Sequence, residues 1–143
     1  AQTHRIKNST ADILLYSDAD TLYHAEPDLD YLSEICPADS LCTFFDRPKF
    51  RDETGFYMHS PQHPRAKEWA NRLEEIYLSG EVWTYEKDRA ADQYTMAFGR
   101  QHFFFCKQMD LMKYHEGMDP KDPVPTSPLN KFLQHLKGEK KTS

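Results

Sequence analysis

The stretch Asp12-Ile13-Leu14-Leu15-Tyr16-Ser17-Asp18-Ala19-Asp20-Thr21-Leu22-Tyr23 joins an apolar run to a pair of carboxylates. From Asp12 to Ser17 it has the length and composition of a buried strand. Asp18 and Asp20 then follow two residues apart. Side chains alternate along extended backbone, so both carboxylates are expected to point the same way, toward one divalent cation or its water shell. Hard oxygen ligands of this kind suit Mg²⁺ or Mn²⁺. A lone Asp-x-Asp equally begins an ordinary turn, but open α/β sheets bind ligands at the carboxyl ends of their strands, where this pair sits.

Outward from this stretch, strands and helices alternate. Pro27 to Ile35 reads as a short helix, with proline at its start, Leu29, Leu32 and Ile35 on one face, and Pro37 as its stop. Ser40 to Phe45 returns to a strand pattern, and Asp46 to Asp52 is a charged loop containing Pro48. The clearest helix runs from Pro64 to Ser79, where Ala66, Trp69, Ala70, Leu73, Ile76 and Tyr77 recur at helical spacing and Gly80 is placed to end it. A second is expected over Asp88 to Phe98, capped by Asp88 and closed by Gly99. Gln101 to Cys106 reads as a strand. Four prolines between Pro120 and Pro128 make residues 114–128 a long loop or lid, before an apolar pattern resumes at Leu129 to Leu136 and a basic tail closes the chain. Alternating elements of this kind argue for an α/β layered domain.

Composition narrows the function classes. The 143 residues fit one domain. Eighteen Lys and Arg against 23 Asp and Glu leave a net charge of −5, so no broad basic surface is available for nucleic acid or anionic lipid. No apolar run approaches the roughly 18 residues that a membrane helix needs. The aromatic share of 13% exceeds that of a disordered chain. Cys36, Cys42 and Cys106 are an odd number with no C-x-x-C pair, which favours reduced, mostly buried thiols and a cytoplasmic setting. The chain begins at Ala1 with no signal segment, and reads as a piece of something longer. Trp69, Tyr77, Phe103, Phe104 and Phe105 are expected in the core. Trp83 and Tyr85, after Gly80, are better placed to stack on a ligand, while His59, His63, His115 and Asp119 are loop residues that border a cleft or a lid.

Two later elements share the chemistry of the aspartate pair. In His135-Leu136-Lys137-Gly138-Glu139-Lys140-Lys141, the histidine suits Mn²⁺ beside carboxylates, Gly138 permits close backbone approach, and the lysines offer positive charge to a phosphate. A solvated basic tail is the plain alternative. Asp92-Gln93 adjoins an alanine-rich helical face and is a candidate pocket border.

Taken in order, Asp18-x-Asp20, Asp92-Gln93 and His135-x-x-Gly138-x-x-Lys141 resemble the motifs of GT-A-fold, nucleotide-sugar-dependent glycosyltransferases, most closely the glycogenin-like and galactosyltransferase-like family 8 group. Asp28-Leu-Asp-Tyr-Leu and Glu53-Thr-Gly-Phe56 fall where that family has its strand-to-helix continuation and its glycine-containing strand, and the likeness spans Asp12 to Lys141. The resemblance implies an α/β, GT-A-like mixed sheet flanked by helices, forming one domain over residues 1–143. It implies Mn²⁺ or Mg²⁺ held by Asp18, Asp20 and His135. A nucleotide-diphosphate sugar would be bound with help from Asp18, Lys137, Gly138 and Lys141, and Asp92 and Gln93 would line the catalytic sugar and acceptor pocket. The partners it implies are that donor and a sugar or protein acceptor, with no nucleic acid and no membrane span.

Three departures from the family stand out. Only about eleven residues precede Asp12 where the nucleotide-binding units belong, Glu53-Thr54 stands where Asn and Ser or Ala are usual, and Thr142-Ser143 replaces a Pro-Trp. A fragment or shortened member is therefore expected. Two other classes compete: a noncatalytic binding or assembly domain that keeps the fold, and a haloacid-dehalogenase-type phosphatase with Asp18 as nucleophile, whose motif wants its hydroxyl one position later than Thr21.

Overall fold

A computed structural model describes residues 2–47, 52–82 and 91–136, with the side chains of 91–94 and 98 outside the description. Its centre is β4, Phe56–His59, whose four residues are all buried. Antiparallel neighbours flank it on both sides, β1 (Leu14–Ser17) and β3 (Cys42–Phe44), and β5 (Met109–Asp110) adds parallel to β3. The sheet order is β1-β4-β3-β5, and a separate antiparallel pair joins β2 (Thr21–Tyr23) to β6 (Leu133–His135). The structure is thus a mixed sheet with helices on both faces, the α/β architecture expected.

Alternation along β4 divides the core. Phe56 and Met58 face a cluster with Leu32 and Ile35 of α2 (Leu29–Ile35), Leu111 of α5 (Leu111–Tyr114), and Val124, Leu129 and Phe132 of the proline-rich stretch. Tyr57 faces a second cluster with Ile6 of α1 (Gln2–Asn8), Trp69 and Leu73 of α3 (Ala66–Leu78), and Met96 of α4 (Ala91–His102). A strand buried on both faces has no polar alternation to offer. α2 begins at Leu29, two residues later than the proline expected at its start, because Asp28 accepts the Tyr31 N–H as its cap, and Gly80 follows α3 with φ 78°.

Several expectations are corrected. Gln101 to Cys106 is not a strand: α4 runs on to His102, and a turn follows in which Cys106 N–H donates to the Phe103 carbonyl. Gly99 lies inside α4 instead of ending it, and it is a glycine for packing reasons: a Cβ there would stand 2.6 Å from Leu73 Cδ2 and 3.1 Å from Trp69 Cζ3. The glycine is a contact point between helices. Asp88 falls outside the described residues, as do Trp83 and Tyr85. Of the five aromatics expected in the core, Trp69 and Phe103 are buried, whereas Tyr77, Phe104 and Phe105 are exposed. Phe103 meets the Trp69 edge in a T-shaped contact, and the next two rings project outward. Residues 114–128 hold a 3₁₀ turn at Val124–Thr126, after which a second at Pro128–Lys131 leads into β6. The basic opening segment is α1, packed on α3 through Lys7 and Glu74 at 2.7 Å.

His59 is buried instead of lining a loop. Trp69 Nε1–H donates to its Nδ1 at 3.3 Å, and the Gln2 amide caps Nε2 at 2.6 Å. All three cysteines are free, Cys36 and Cys42 buried and Cys106 half-buried. Arg100 makes a bidentate pair with buried Asp52, at 2.9 Å on each oxygen, and lies 4.1 Å over the Phe44 ring. Burial raises the Asp52 carboxyl, and the Arg100 hydrogen bonds oppose that shift.

Two outcomes test this packing. Gly99→Val should lower unfolding stability by about 1 to 3 kcal/mol, the usual cost of overfilling a packed contact, as measured by urea denaturation. Burial pushes the His59 pKa down to about 3, so the unfolded chain takes up this proton first as pH falls. Stability linked to His59 is therefore full above the unfolded value of about 6.5 and declines toward pH 3, at up to about 1.4 kcal/mol per pH unit. His59→Gln should flatten that part of the profile.

Candidate metal centre

The site is built by two chain segments that meet at one register position. β1 ends at Ser17, and the chain turns at Asp18 to Asp20, with Thr21 N–H donating to the Asp18 carbonyl at 3.0 Å. The two carboxylates converge through this turn, and not by the side-chain alternation of an extended strand. Neighbouring elements fix the turn from both sides: Asp18 N–H donates to the Gly55 carbonyl at 3.2 Å and Leu136 N–H to the Asp20 carbonyl at 2.9 Å. Thr21 pairs directly with His135 across β2 and β6.

That register brings His135 Nε2 to 3.0 Å from Asp20 Oδ1 and 3.9 Å from Asp18 Oδ2. One ligand atom from each of the three lies within 4.8 Å of the others. The imidazole is 6% exposed while Asp18 is 40% exposed, so the histidine and the buried Oδ1 of Asp20 form the floor and Asp18 the open rim. Gly55 is required beneath the ring, since a Cβ there would stand 2.7 Å from His135 Cε1. Two carboxylates and an imidazole at this spacing are consistent with a divalent metal ion, with the exposed side open to solvent.

A second group, Glu53, Asp122 and His135, satisfies the same 4.8 Å spacing. Buried Arg47 reaches Glu53 Oε2 at 3.2 Å, and donates to the Lys121 and Asp52 carbonyls, each at 3.2 Å. Glu53 Oε1 accepts the Gly55 N–H at 3.0 Å. A cavity of about 400 Å³ opens beside this group, lined by His24, Asp122, Asn130, Gln134 and His135 among others. A larger cavity of about 550 Å³, lined by Tyr16, Tyr57, Leu73, Tyr77 and Met96 among others, contains none of the three ligand candidates.

Of the site residues expected from sequence, Asp18, Asp20 and His135 come together. Asp92 and Gln93 occupy the first turn of α4, with side chains outside the description, and Lys137, Gly138 and Lys141 lie outside the described residues. His63 is half-buried at the start of α3, and His115 accepts or donates a 2.7 Å hydrogen bond with Tyr31, both away from the metal candidates. Asp119 is exposed and accepts the Lys121 N–H. Arg47 and Asp122 carried no sequence signal of their own. Glu53 did, as a charged residue beside a glycine where a neutral one was expected.

Comparison of the chain with protein-family models, with curated proteins and with solved structures returns no match. What the geometry establishes is a pair of acidic and histidine clusters consistent with metal binding, on a mixed α/β sheet. None of the described helices is long and apolar enough to cross a membrane.

A saturating cation at about 100 times its dissociation constant should add about 2.7 kcal/mol to unfolding stability, seen as a rise in melting temperature with Mn²⁺. Asp20→Asn should abolish that rise, and Gly55→Ala should shrink it by displacing the His135 ring.

Proposed function

We propose that this chain is the metal-binding and acceptor-side part of a GT-A-type glycosyltransferase, similar to family 8, that uses a nucleotide-diphosphate sugar. The observation that carries this reading is the meeting of Asp18, Asp20 and His135, drawn from opposite ends of the sequence, with Asp18 on the open side. The ordered motifs and the mixed sheet support it further.

The chemistry such a site must supply is electrostatic. Breaking the bond from sugar to diphosphate concentrates negative charge on the departing diphosphate, and a divalent cation held there stabilises that charge as it develops. Asp18, Asp20 and His135 would hold the cation. In the same reading, Lys141 contacts the diphosphate, Lys137 and Gly138 line its path, and Asp92 and Gln93 border the sugar. The buried wall behind His135 keeps water from one side of the site, while the half-exposed Asp18 leaves the other side open to a ligand.

Calorimetric titration of UDP and GDP, with and without Mn²⁺, tests the reading. Nucleotide binding that requires Mn²⁺ and disappears in Asp20→Asn is expected. Metal-dependent binding with no sugar transfer to any acceptor would favour the noncatalytic domain. Hydrolysis of a simple phosphate ester, lost in Asp18→Asn, would replace the transferase with the phosphatase.

A further inference from the structure

His135 has two ring nitrogens, and the metal reading uses one. Nε2 faces Asp18 and Asp20. Nδ1 is buried and has no hydrogen-bond partner, on a side chain only 6% exposed. A buried ring nitrogen left in this state costs stability, and it is a rare feature in a folded protein. The Nδ1 edge looks toward Gly55 and Glu53: the position of a Gly55 Cβ would be 3.2 Å from Nδ1 and 3.0 Å from Glu53 Oε1. Oxygens of Glu53 and Asp122 fall within the same 4.8 Å group as a ring nitrogen of His135.

The surroundings of these two carboxylates argue against a second cation. Arg47 is buried, and its guanidinium already sits on Glu53 at 3.2 Å. It also holds the Lys121 carbonyl, the residue next to Asp122, and the Asp52 carbonyl next to Glu53. One cation therefore clamps the two acid-bearing segments behind the histidine. An added divalent ion would meet that guanidinium's charge in a region of low dielectric. Metal-bound histidines instead commonly donate the other ring N–H to a carboxylate, which fixes the tautomer and raises the basicity of the ligating nitrogen.

We propose that Asp122 and Glu53, clamped by Arg47, are positioning residues for His135: their carboxylates, within 4.8 Å of a ring nitrogen, are the acceptors available to an Nδ1–H, and a proton kept on that side presents the Nε2 lone pair to a cation shared with Asp18 and Asp20. This rests on the metal reading above. Asp122 then links the proline-rich stretch to the strength of the metal site without touching the metal. The short spans between Pro120, Pro123 and Pro125 limit where its carboxylate can go.

The experiment uses the whole chain and Mn²⁺ alone, titrated by calorimetry and by electron paramagnetic resonance. Wild type is expected to bind one Mn²⁺. Asp122→Asn and Glu53→Gln are expected to weaken binding by about 10- to 100-fold, with circular dichroism unchanged for the half-buried Asp122 site, and Asp122→Glu to recover most of the loss. In the Mg²⁺-saturated protein, nitrogen NMR of the imidazole should find the proton on Nδ1, with a hydrogen-bonded signal that Asp122→Asn or Glu53→Gln alters. Unchanged Mn²⁺ affinity in both variants, two bound Mn²⁺ ions in wild type, or a proton on Nε2 would each overturn this inference while leaving the primary site intact. Failure of wild type to bind Mn²⁺ would overturn the metal reading, and this inference with it.

Discussion

The pairing of Thr21 with His135 is the constraint on which the rest of the site depends. Strand register is a discrete choice, and a slip by one residue sends every side chain to the opposite face. Here such a slip would turn His135 away from the aspartates and expose the ring now resting on Gly55. The pair β2 and β6 is only three residues long on each side, too short to hold its register alone. Its register is held by what surrounds it. Leu133 is buried in the core cluster of Phe56 and Phe132, His24 N–H donates to the Phe132 carbonyl at one end, and Leu136 N–H donates to the Asp20 carbonyl at the other.

That arrangement explains why a small, partly open site coexists with a stiff core. β4 is covered on both faces, and its first residue follows Gly55, whose carbonyl accepts from Asp18 and whose missing side chain makes room for His135. The rigid element thus sets both the acidic turn and the histidine floor through a single glycine. Sites carried on rigid elements keep their geometry better than sites carried on loops. Asp18 and Asp20 occupy a turn, but one hydrogen-bonded on each side to a residue that adjoins a strand, Gly55 before β4 and Leu136 after β6.

The elements that were legible in the sequence are those with a local signature. The amphipathic α3 depends on neighbours within a few residues and formed close to its expected place. The strand expected from Asp12 to Ser17 formed over Leu14–Ser17, but at the sheet edge with none of its residues buried, because only β4 covers one side of it. Asp18, Asp20 and His135 were legible because their side-chain chemistry is specific. Gly99 and the Phe103 to Phe105 run misled because local pattern has two meanings there. A glycine after an apolar face marks either a helix end or a close helix contact, and an apolar triplet marks either a strand or a turn that buries one ring of three. Only the position of Trp69 resolves both. Arg47 and Asp122 were silent because their roles arise from a fold that brings residues far apart in sequence behind one imidazole.

The three cysteines have a bearing on which metal such a site meets. Burial raises the thiol pKa of Cys36, Cys42 and Cys106 alike, so each sulfur keeps its proton at neutral pH. Cys42 lies in the Trp69 cluster and Cys36 in the other, on opposite faces of the sheet, and no disulfide joins any of them. Soft ions such as Cu⁺ and Cd²⁺ select sulfur ligands, and none of the three thiols belongs to the group of Asp18, Asp20 and His135. The oxygen-rich pocket of Asp18 and Asp20 consequently favours hard cations through its own donor set, and the partly exposed Cys106 is a separate sulfur on the chain.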